Sequence, residues 1–94
     1  MIDTPMTDDE LQAIKDRCNA ATPGPWRSYV EDRDHTSGSD FIMTGEAGVR
    51  GNDIELTGAT KADQDFMAYA RQDVPRLLAE VERLRRQLEE LRTK

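Results

Sequence analysis

Apolar side chains near the C-terminus recur at alternating spacings of three and four residues, and this pattern constrains the fold more than any other feature. The set is Val74, Leu77, Val81, Leu84, Leu88 and Leu91. Such spacing places the set on one side of an α-helix, at positions a and d of a heptad repeat. Valine at a with leucine at d favours a parallel dimer, in which Glu80 faces Arg85 of a second copy. We therefore predict that residues 74–94 form an amphipathic helix through which the protein self-associates, as a parallel dimer or a higher oligomer.

Three heptads are short for an isolated coiled coil, because helices of this length are marginal in water. A second interpretation therefore stays open. In it, Leu77, Leu78 and Val81 pack on the chain's own sheet, and only the end of the helix projects.

Residues 60–73 predict a further helix, which begins with Thr60 as its N-cap. Pro75 interrupts the pattern, because proline has no amide hydrogen and its ring clashes with the carbonyl one turn back. Asp73 is suited to cap a separate helix that has Pro75 in its first turn. We therefore predict two helical segments with a bend or break near Asp73.

The N-terminal segment also predicts a helix. Thr7 and Glu10 have the spacing of a capping box, in which each side chain bonds to the backbone amide of the other residue. The apolar side chains of residues 11–21 then recur at helical spacing. Two prolines in residues 22–25 end the helix.

The middle of the chain alternates short apolar segments with polar turns. Residues 26–31, 41–44 and 54–57 contain aromatic and β-branched side chains, which suit strands. Three such strands make a small antiparallel sheet, which needs a helix over one face to be stable. The predicted fold is α+β in the order α–β–β–β–α–α, with the N-terminal helix and residues 60–73 on one face of the sheet.

Charge is distributed unevenly between the two predicted parts, a single domain over residues 1–73 and an oligomerisation helix over residues 74–94. The first part has fifteen acidic and seven basic side chains, a net charge of −8, and the second has four and six, a net charge of +2. The acidic part repels a nucleic-acid backbone, so nucleic-acid binding is disfavoured.

Cysteine content and hydropathy predict the compartment. The chain contains one cysteine and so forms no internal disulfide. Its N-terminus lacks the basic and apolar regions of a signal peptide, and no segment approaches the roughly 20 apolar residues of a membrane span. We therefore expect the protein in a reducing cytoplasm, without a membrane partner.

No constellation of residues predicts catalysis or metal binding. Residues 32–40 resemble a calcium loop, but an EF-hand needs glycine sixth and glutamate twelfth, where this chain has Ser37 and Met43. His35 and Cys18 stand without the further ligands that a zinc site needs and without the motif of a nucleophile pair. We expect a non-enzymatic protein with no catalytic residues, metal or cofactor.

The candidate ligand-binding residues surround the chain's single tryptophan, Trp26. One interpretation makes Trp26 a core anchor where the chain passes from helix to sheet, and the other makes it a stacking residue on the sheet. In the second interpretation, other side chains supply hydrogen bonds and positive charge around the indole. Those candidates are Arg27, Tyr29, Arg50 and Arg71.

Two segments carry a resemblance to a known family. Residues 20–26 read Ala-Ala-Thr-Pro-Gly-Pro-Trp, and residues 65–78 read Asp-Phe-Met-Ala-Tyr-Ala-Arg-Gln-Asp-Val-Pro-Arg-Leu-Leu. In this order they resemble the two signatures of small phage and prophage proteins related to the Ead-like family of phage early proteins. The resemblance implies a phage accessory protein in the host cytoplasm, and it carries over no catalytic residue.

By analogy with phage accessory proteins of this size, the resemblance implies action against a host process such as anti-phage defence. We expect an oligomeric binding protein that sequesters a small anionic, nucleotide-like ligand by means of arginines at a subunit interface. The alternative is an acidic adaptor or inhibitor that binds a host protein. A concave pocket with two or more arginines favours the first function, and a smooth acidic face favours the second.

Overall fold

A computed structural model describes residues 4–93 of the chain. It confirms the α+β class, with two helices and a three-stranded antiparallel sheet among these residues. The elements, in chain order, are α1 (Asp8–Ala20), β1 (Trp26–Tyr29), β2 (Asp40–Thr44), β3 (Ile54–Leu56) and α2 (Lys61–Arg92). Lys94, the predicted end of the oligomerisation helix, lies outside the described residues.

Contacts divide the described chain into two compact units, and each is described by itself. The helical unit contains α1 and the part of α2 from Val74 onward, and the sheet unit spans Thr22–Asp73. The sequence predicts α1 in the same domain as the sheet, whereas the contacts group it with the C-terminal part of α2.

The sheet has the strand order β1-β2-β3, and both neighbouring pairs are antiparallel. Trp26 lies opposite Thr44, and Asp40 lies opposite Leu56. The three predicted strands are confirmed, although β1 ends at Tyr29 rather than at residue 31. The buried side chains of this unit are Val30, Ile42, Thr44, Gln64 and Ala68.

Gln64 is a polar residue inside this small core. Its amide nitrogen donates to the carbonyl oxygens of Tyr29 and Phe41, both at 3.0 Å. A buried amide that lacked these partners would cost about 1–3 kcal/mol. The bonds therefore join the first turns of α2 to β1 and β2.

The second helix is continuous, so the predicted break into two helical segments near Asp73 is wrong. It runs from Lys61 to Arg92, with Pro75 in its interior. Proline removes only one amide donor from the hydrogen-bond ladder, and this helix has 32 residues to sustain the rest. Its predicted N-cap is confirmed, because the Thr60 hydroxyl accepts the amide of Asp63 at 3.0 Å.

The capping box of α1 is confirmed in the helical unit. The Glu10 amide donates to the Thr7 hydroxyl at 3.1 Å, and the Thr7 amide donates to the Glu10 carboxylate at 2.9 Å. Two backbone donors at the start of α1 are thereby satisfied. Neither α1 nor α2, over the residues described, has an apolar stretch long enough to cross a membrane.

Charged side chains join α1 to the C-terminal part of α2. Lys15 pairs with Glu82 at 3.2 Å, and Arg85 donates to the Asp8 carboxylate at 2.8 Å. Leu78, in the same part of α2, is buried. Glu82 and Arg85 of α2 are therefore engaged in ion pairs within the chain.

Candidate binding sites

A cavity of about 600 Å³ opens beside the edge strand β1, in the sheet unit. It lies between β1, the loop that follows β1 and the first turns of α2, and we call it the β1 cavity. Its size falls within the range of small-molecule sites. The residues on which its chemistry depends are Trp26, Arg27, Arg33, Asp65, Tyr69 and Gln72.

Gln72 fixes the backbone of Trp26 at this cavity. The Trp26 amide donates to Gln72 Oε1 at 2.9 Å, and Gln72 Nε2 donates to the Trp26 carbonyl at 3.1 Å. The indole nitrogen donates to the Thr22 carbonyl at 3.1 Å. Trp26 is half-buried, so it is held rigidly while part of its surface stays accessible.

Arg33 engages both carboxylates of the cavity. Its guanidinium donates to the two carboxylate oxygens of Asp65, at 2.8 and 3.0 Å. It also donates twice to Asp34 Oδ2, at 2.8 and 3.0 Å. The hydrogen bonds from Arg33 lower the pKa of Asp65 to about 2 and lower the pKa of Asp34. This clamp joins the β1–β2 loop to α2.

Arg27 is the cation of the β1 cavity that the chain does not use. Its side chain is exposed on β1, and within residues 4–93 its guanidinium has no hydrogen bond or ion pair, although its backbone pairs with Met43 of β2. A guanidinium is charged at any physiological pH. The cavity therefore offers one guanidinium to an anionic ligand, while the guanidinium of Arg33 already donates four hydrogen bonds to two carboxylates.

Two other predicted ligand residues, Arg50 and Arg71, bind elsewhere in the sheet unit. Arg50 pairs with Asp53 at 2.5 Å and lines a separate cavity of about 330 Å³. Arg71 Nε donates to the Thr22 carbonyl at 2.8 Å. Both guanidinium groups thus interact with oxygen atoms of the chain itself, and the structure does not gather the predicted arginines into one anion site.

Tyr29, the remaining candidate, belongs to an aromatic cluster. Its ring stacks on Phe41, with centroids 5.3 Å apart and planes inclined by 10°. The imidazole of His35 packs on Phe41 at 5.0 Å between centroids. The ring of Tyr29 therefore packs the loop that follows β1 against β2.

The acidic loop between β1 and β2 uses its carboxylates to hold its own backbone. The Val30 amide donates to Asp34, and the Glu31 amide to Asp40, each at 2.8 Å. The Gly38 amide donates to the Glu31 carboxylate at 2.7 Å. Over residues 4–93, no cluster of three or more His, Cys, Asp or Glu side chains is placed to hold a metal ion.

The C-terminal part of α2 exposes a row of leucines, which we call the leucine row. Their exposed fractions are 63% for Leu77, 49% for Leu84, 50% for Leu88 and 69% for Leu91. Val74 and Val81, the other members of the predicted heptad, are half-buried. The exposed seam is thus built mainly from the d positions of the repeat.

The charges that flank the leucine row are paired within the chain. Glu80 forms an ion pair with Arg83, and this pair lowers the pKa of Glu80. Arg85 bonds to Asp8 of α1. The predicted pair between Glu80 and Arg85 of a second copy therefore requires both side chains to exchange partners.

No protein-family model, curated protein or solved structure matches this chain. The resemblance to the Ead-like family therefore stays a prediction. Among the described residues, the β1 cavity and the leucine row are the features that indicate a function.

Three residues of the cavity wall and core were not predicted from the sequence. They are Gln64, Gln72 and, as a residue that contacts a ligand, Tyr69. The available signal was the recurrence of Gln64, Ala68 and Gln72 every four residues, which places them on one side of a helix. Two amides on the side of a helix that packs on a sheet edge indicate hydrogen bonds to strand backbone.

Proposed function

We propose that the protein is a non-enzymatic binding protein that self-associates through the leucine row and holds a small anionic, nucleotide-like ligand. The observation that carries self-association is the exposure of Leu77, Leu84, Leu88 and Leu91 along one helix. Fully burying one leucine side chain is worth roughly 1.5–3 kcal/mol. A second copy supplies an identical row, so each copy buries its leucines against the same residues of the other.

A parallel arrangement is supported by the heptad register. Leucine at the d positions, with β-branched Val74 and Val81 at a, favours two parallel strands. Val74 and Val81 are half-buried, so in the proposed contact the more exposed leucines contribute most of the buried surface and the valines lie beside them. The flanking charges then sit at the rim of the contact, where ion pairs contribute little.

The ligand is assigned as an anion because the β1 cavity contains the unused guanidinium of Arg27. The biological role follows from the resemblance to phage accessory proteins: antagonism of a host process such as anti-phage defence, in the host cytoplasm, by sequestration of the ligand.

A second candidate function is supported by the charge of residues 1–73, which is −8 from fifteen acidic and seven basic side chains. Such a surface suits an adaptor or inhibitor that binds a basic host protein. In that function, charge complementarity steers the encounter and the β1 cavity has no ligand.

Native mass spectrometry of the full chain, purified from infected host cells, tests the proposal and its alternative together. A multimer that retains a small-molecule mass supports ligand sequestration, and a complex with a host protein supports the adaptor. A bare monomer at micromolar concentration contradicts both self-association and ligand retention.

A further inference from the structure

We infer that the β1 cavity binds a planar aromatic ring that carries a single anionic group, such as a monophosphate, in preference to a polyanion. The inference rests on the proposed ligand-binding function, and it names the site and the chemical class. The ring lies against Trp26 and Tyr69, and the anion is bound by Arg27.

The walls of the cavity are organised before any ligand arrives. Gln72 holds both backbone polar groups of Trp26, and Arg33 holds the loop to Asp65 through two hydrogen bonds. A site whose groups are already fixed does not lose their conformational entropy on binding. The cavity is therefore suited to a specific small ligand rather than to a surface that reshapes around a partner.

Two aromatic side chains line the cavity from different elements. Trp26 belongs to β1, and Tyr69 lies on α2 with 64% of its surface exposed. An exposed tyrosine and a half-buried tryptophan at one cavity offer flat apolar surface, which prefers a stacked or edge-on aromatic partner. A planar ring is thus the chemical group that covers both residues.

The charges of the cavity select a ligand with one anionic group. Arg33 is bound by two carboxylates, so Arg27 is the available cation. Asp34 and Asp65 line the same cavity, and their carboxylates repel any negative charge beyond the reach of Arg27. A triphosphate would find no second available cation in the cavity, and its additional negative charge would be repelled by the carboxylates of Asp34 and Asp65.

The free edge of β1 supplies further polar groups. The Gly45 amide donates to the Pro25 carbonyl at 2.9 Å, which makes residues 25 and 45 a hydrogen-bonded pair of the antiparallel ladder. Alternate residues then direct their backbone groups away from β2. The backbone amide and carbonyl of Trp26 point away from β2, and Gln72 binds both of them. The amide and carbonyl of Ser28 also point away from β2, beside the cavity, where they can bond to the edge of a heterocycle.

Fluorescence titration of the full chain tests the inference, because Trp26 is the only tryptophan. The probes are AMP, adenosine, ATP and inorganic phosphate. We expect AMP to quench the fluorescence saturably. Adenosine should bind about ten-fold more weakly than AMP, because a charge-assisted hydrogen bond is lost. ATP should bind no more tightly than AMP, and phosphate should cause no quenching. Tighter binding of ATP overturns the charge argument, and the absence of saturable quenching by AMP overturns the site.

Matched arginine variants locate the anion. Arg27→Gln should weaken AMP about ten-fold and leave adenosine unchanged, because it removes one charged hydrogen-bond donor. Arg76→Gln, which removes an exposed arginine of the helical unit, should change neither probe. Equal effects of the two variants on AMP would overturn the assignment of Arg27. The native mass spectrum reports separately on the proposed function. A multimer that retains an anion other than an aromatic compound with one anionic group leaves that function standing while the inference fails.

Discussion

The side-chain amide of Gln72 bonds to both backbone polar groups of Trp26, as a neighbouring strand would. The amide of Trp26 is the donor in one bond, at 2.9 Å, and its carbonyl is the acceptor in the other, at 3.1 Å. β1 has no strand on this edge, so Gln72 satisfies groups that would otherwise be part-buried without partners. A helix side chain thus completes the edge of the sheet.

This relationship predicts the effect of Gln72→Ala. The variant leaves the amide and carbonyl of Trp26 without partners, at a cost of about 1–3 kcal/mol in the free energy of unfolding. Urea denaturation followed by circular dichroism measures the change. Gln87→Ala, at an exposed position of the same helix, should stay within about 0.5 kcal/mol of wild type. Equal effects of the two variants would show that the Trp26 contacts contribute nothing specific.

Alanine substitutions at two glycines of the β2–β3 loop should destabilise the protein to different degrees. One substitution causes backbone strain alone, and the other causes backbone strain together with a steric clash. Gly45 and Gly48 both have positive φ, at 80° and 86°. A Cβ at Gly45 would lie 2.5 Å from the Val49 carbonyl oxygen, whereas a Cβ at Gly48 meets nothing within 4 Å. We expect Gly48→Ala to cost about 1–2 kcal/mol from the left-handed backbone.

Gly45→Ala should cost at least about 1 kcal/mol more than Gly48→Ala, because the loop must also move away from the new methyl group. Thermal and urea melts of the two variants measure the difference. If the two substitutions destabilise the protein equally, the close approach of residue 49 is not a constraint on the fold.

The clamp between Arg33 and Asp65 predicts how stability depends on pH. The pKa of Asp65 is lowered from 3.8 to about 2 in the folded protein by its hydrogen bonds from Arg33. A carboxyl group with a depressed folded pKa contributes stability above its unfolded pKa and loses it as pH falls through the folded value. We therefore expect the free energy of unfolding to decrease from about pH 4 to about pH 2.

Asp65→Asn should flatten part of this decrease, since the variant has no carboxyl group to protonate. Asp73→Asn, which removes an exposed carboxylate of the same helix, is the control and should keep the wild-type profile. Urea midpoints measured across this pH range distinguish the two variants. If the stability of Asp65→Asn falls with pH as it does in wild type, the clamp is not the cause of the acid destabilisation.

Helix caps and strands were predicted correctly, because they depend on side chains that are close together in the sequence. The capping boxes at Thr7 and Thr60 depend on side chains three residues apart, and the strands depend on residue type within a few positions. Pro75 was misjudged because its effect is not local: one missing amide donor is tolerated by a helix of 32 residues.

The site was harder to predict, because its geometry depends on residues far apart in the chain. Gln72 and Trp26 are 46 positions apart, and Arg33 and Asp65 are 32 apart. Residue type alone singles out Trp26 and Arg27, but it does not show which carboxylates or carbonyls engage each arginine. Arg50 and Arg71 bond to such oxygen atoms, and only the fold determines that Arg27 does not.

The leucine row predicts that Leu84→Glu dissociates the assembly. In a parallel contact, Leu84 faces its own symmetry mate, so the substitution brings two carboxylates together in an apolar seam, where their desolvation is costly. Light scattering should give the monomer mass for this variant and a multimer for wild type. Ala79→Glu adds the same charge at an exposed position outside the row, and it should keep the multimer. Circular dichroism should report equal helix content in both variants. If Leu84→Glu retains the wild-type mass, the leucine row is not the contact, and the exposed leucines need another partner.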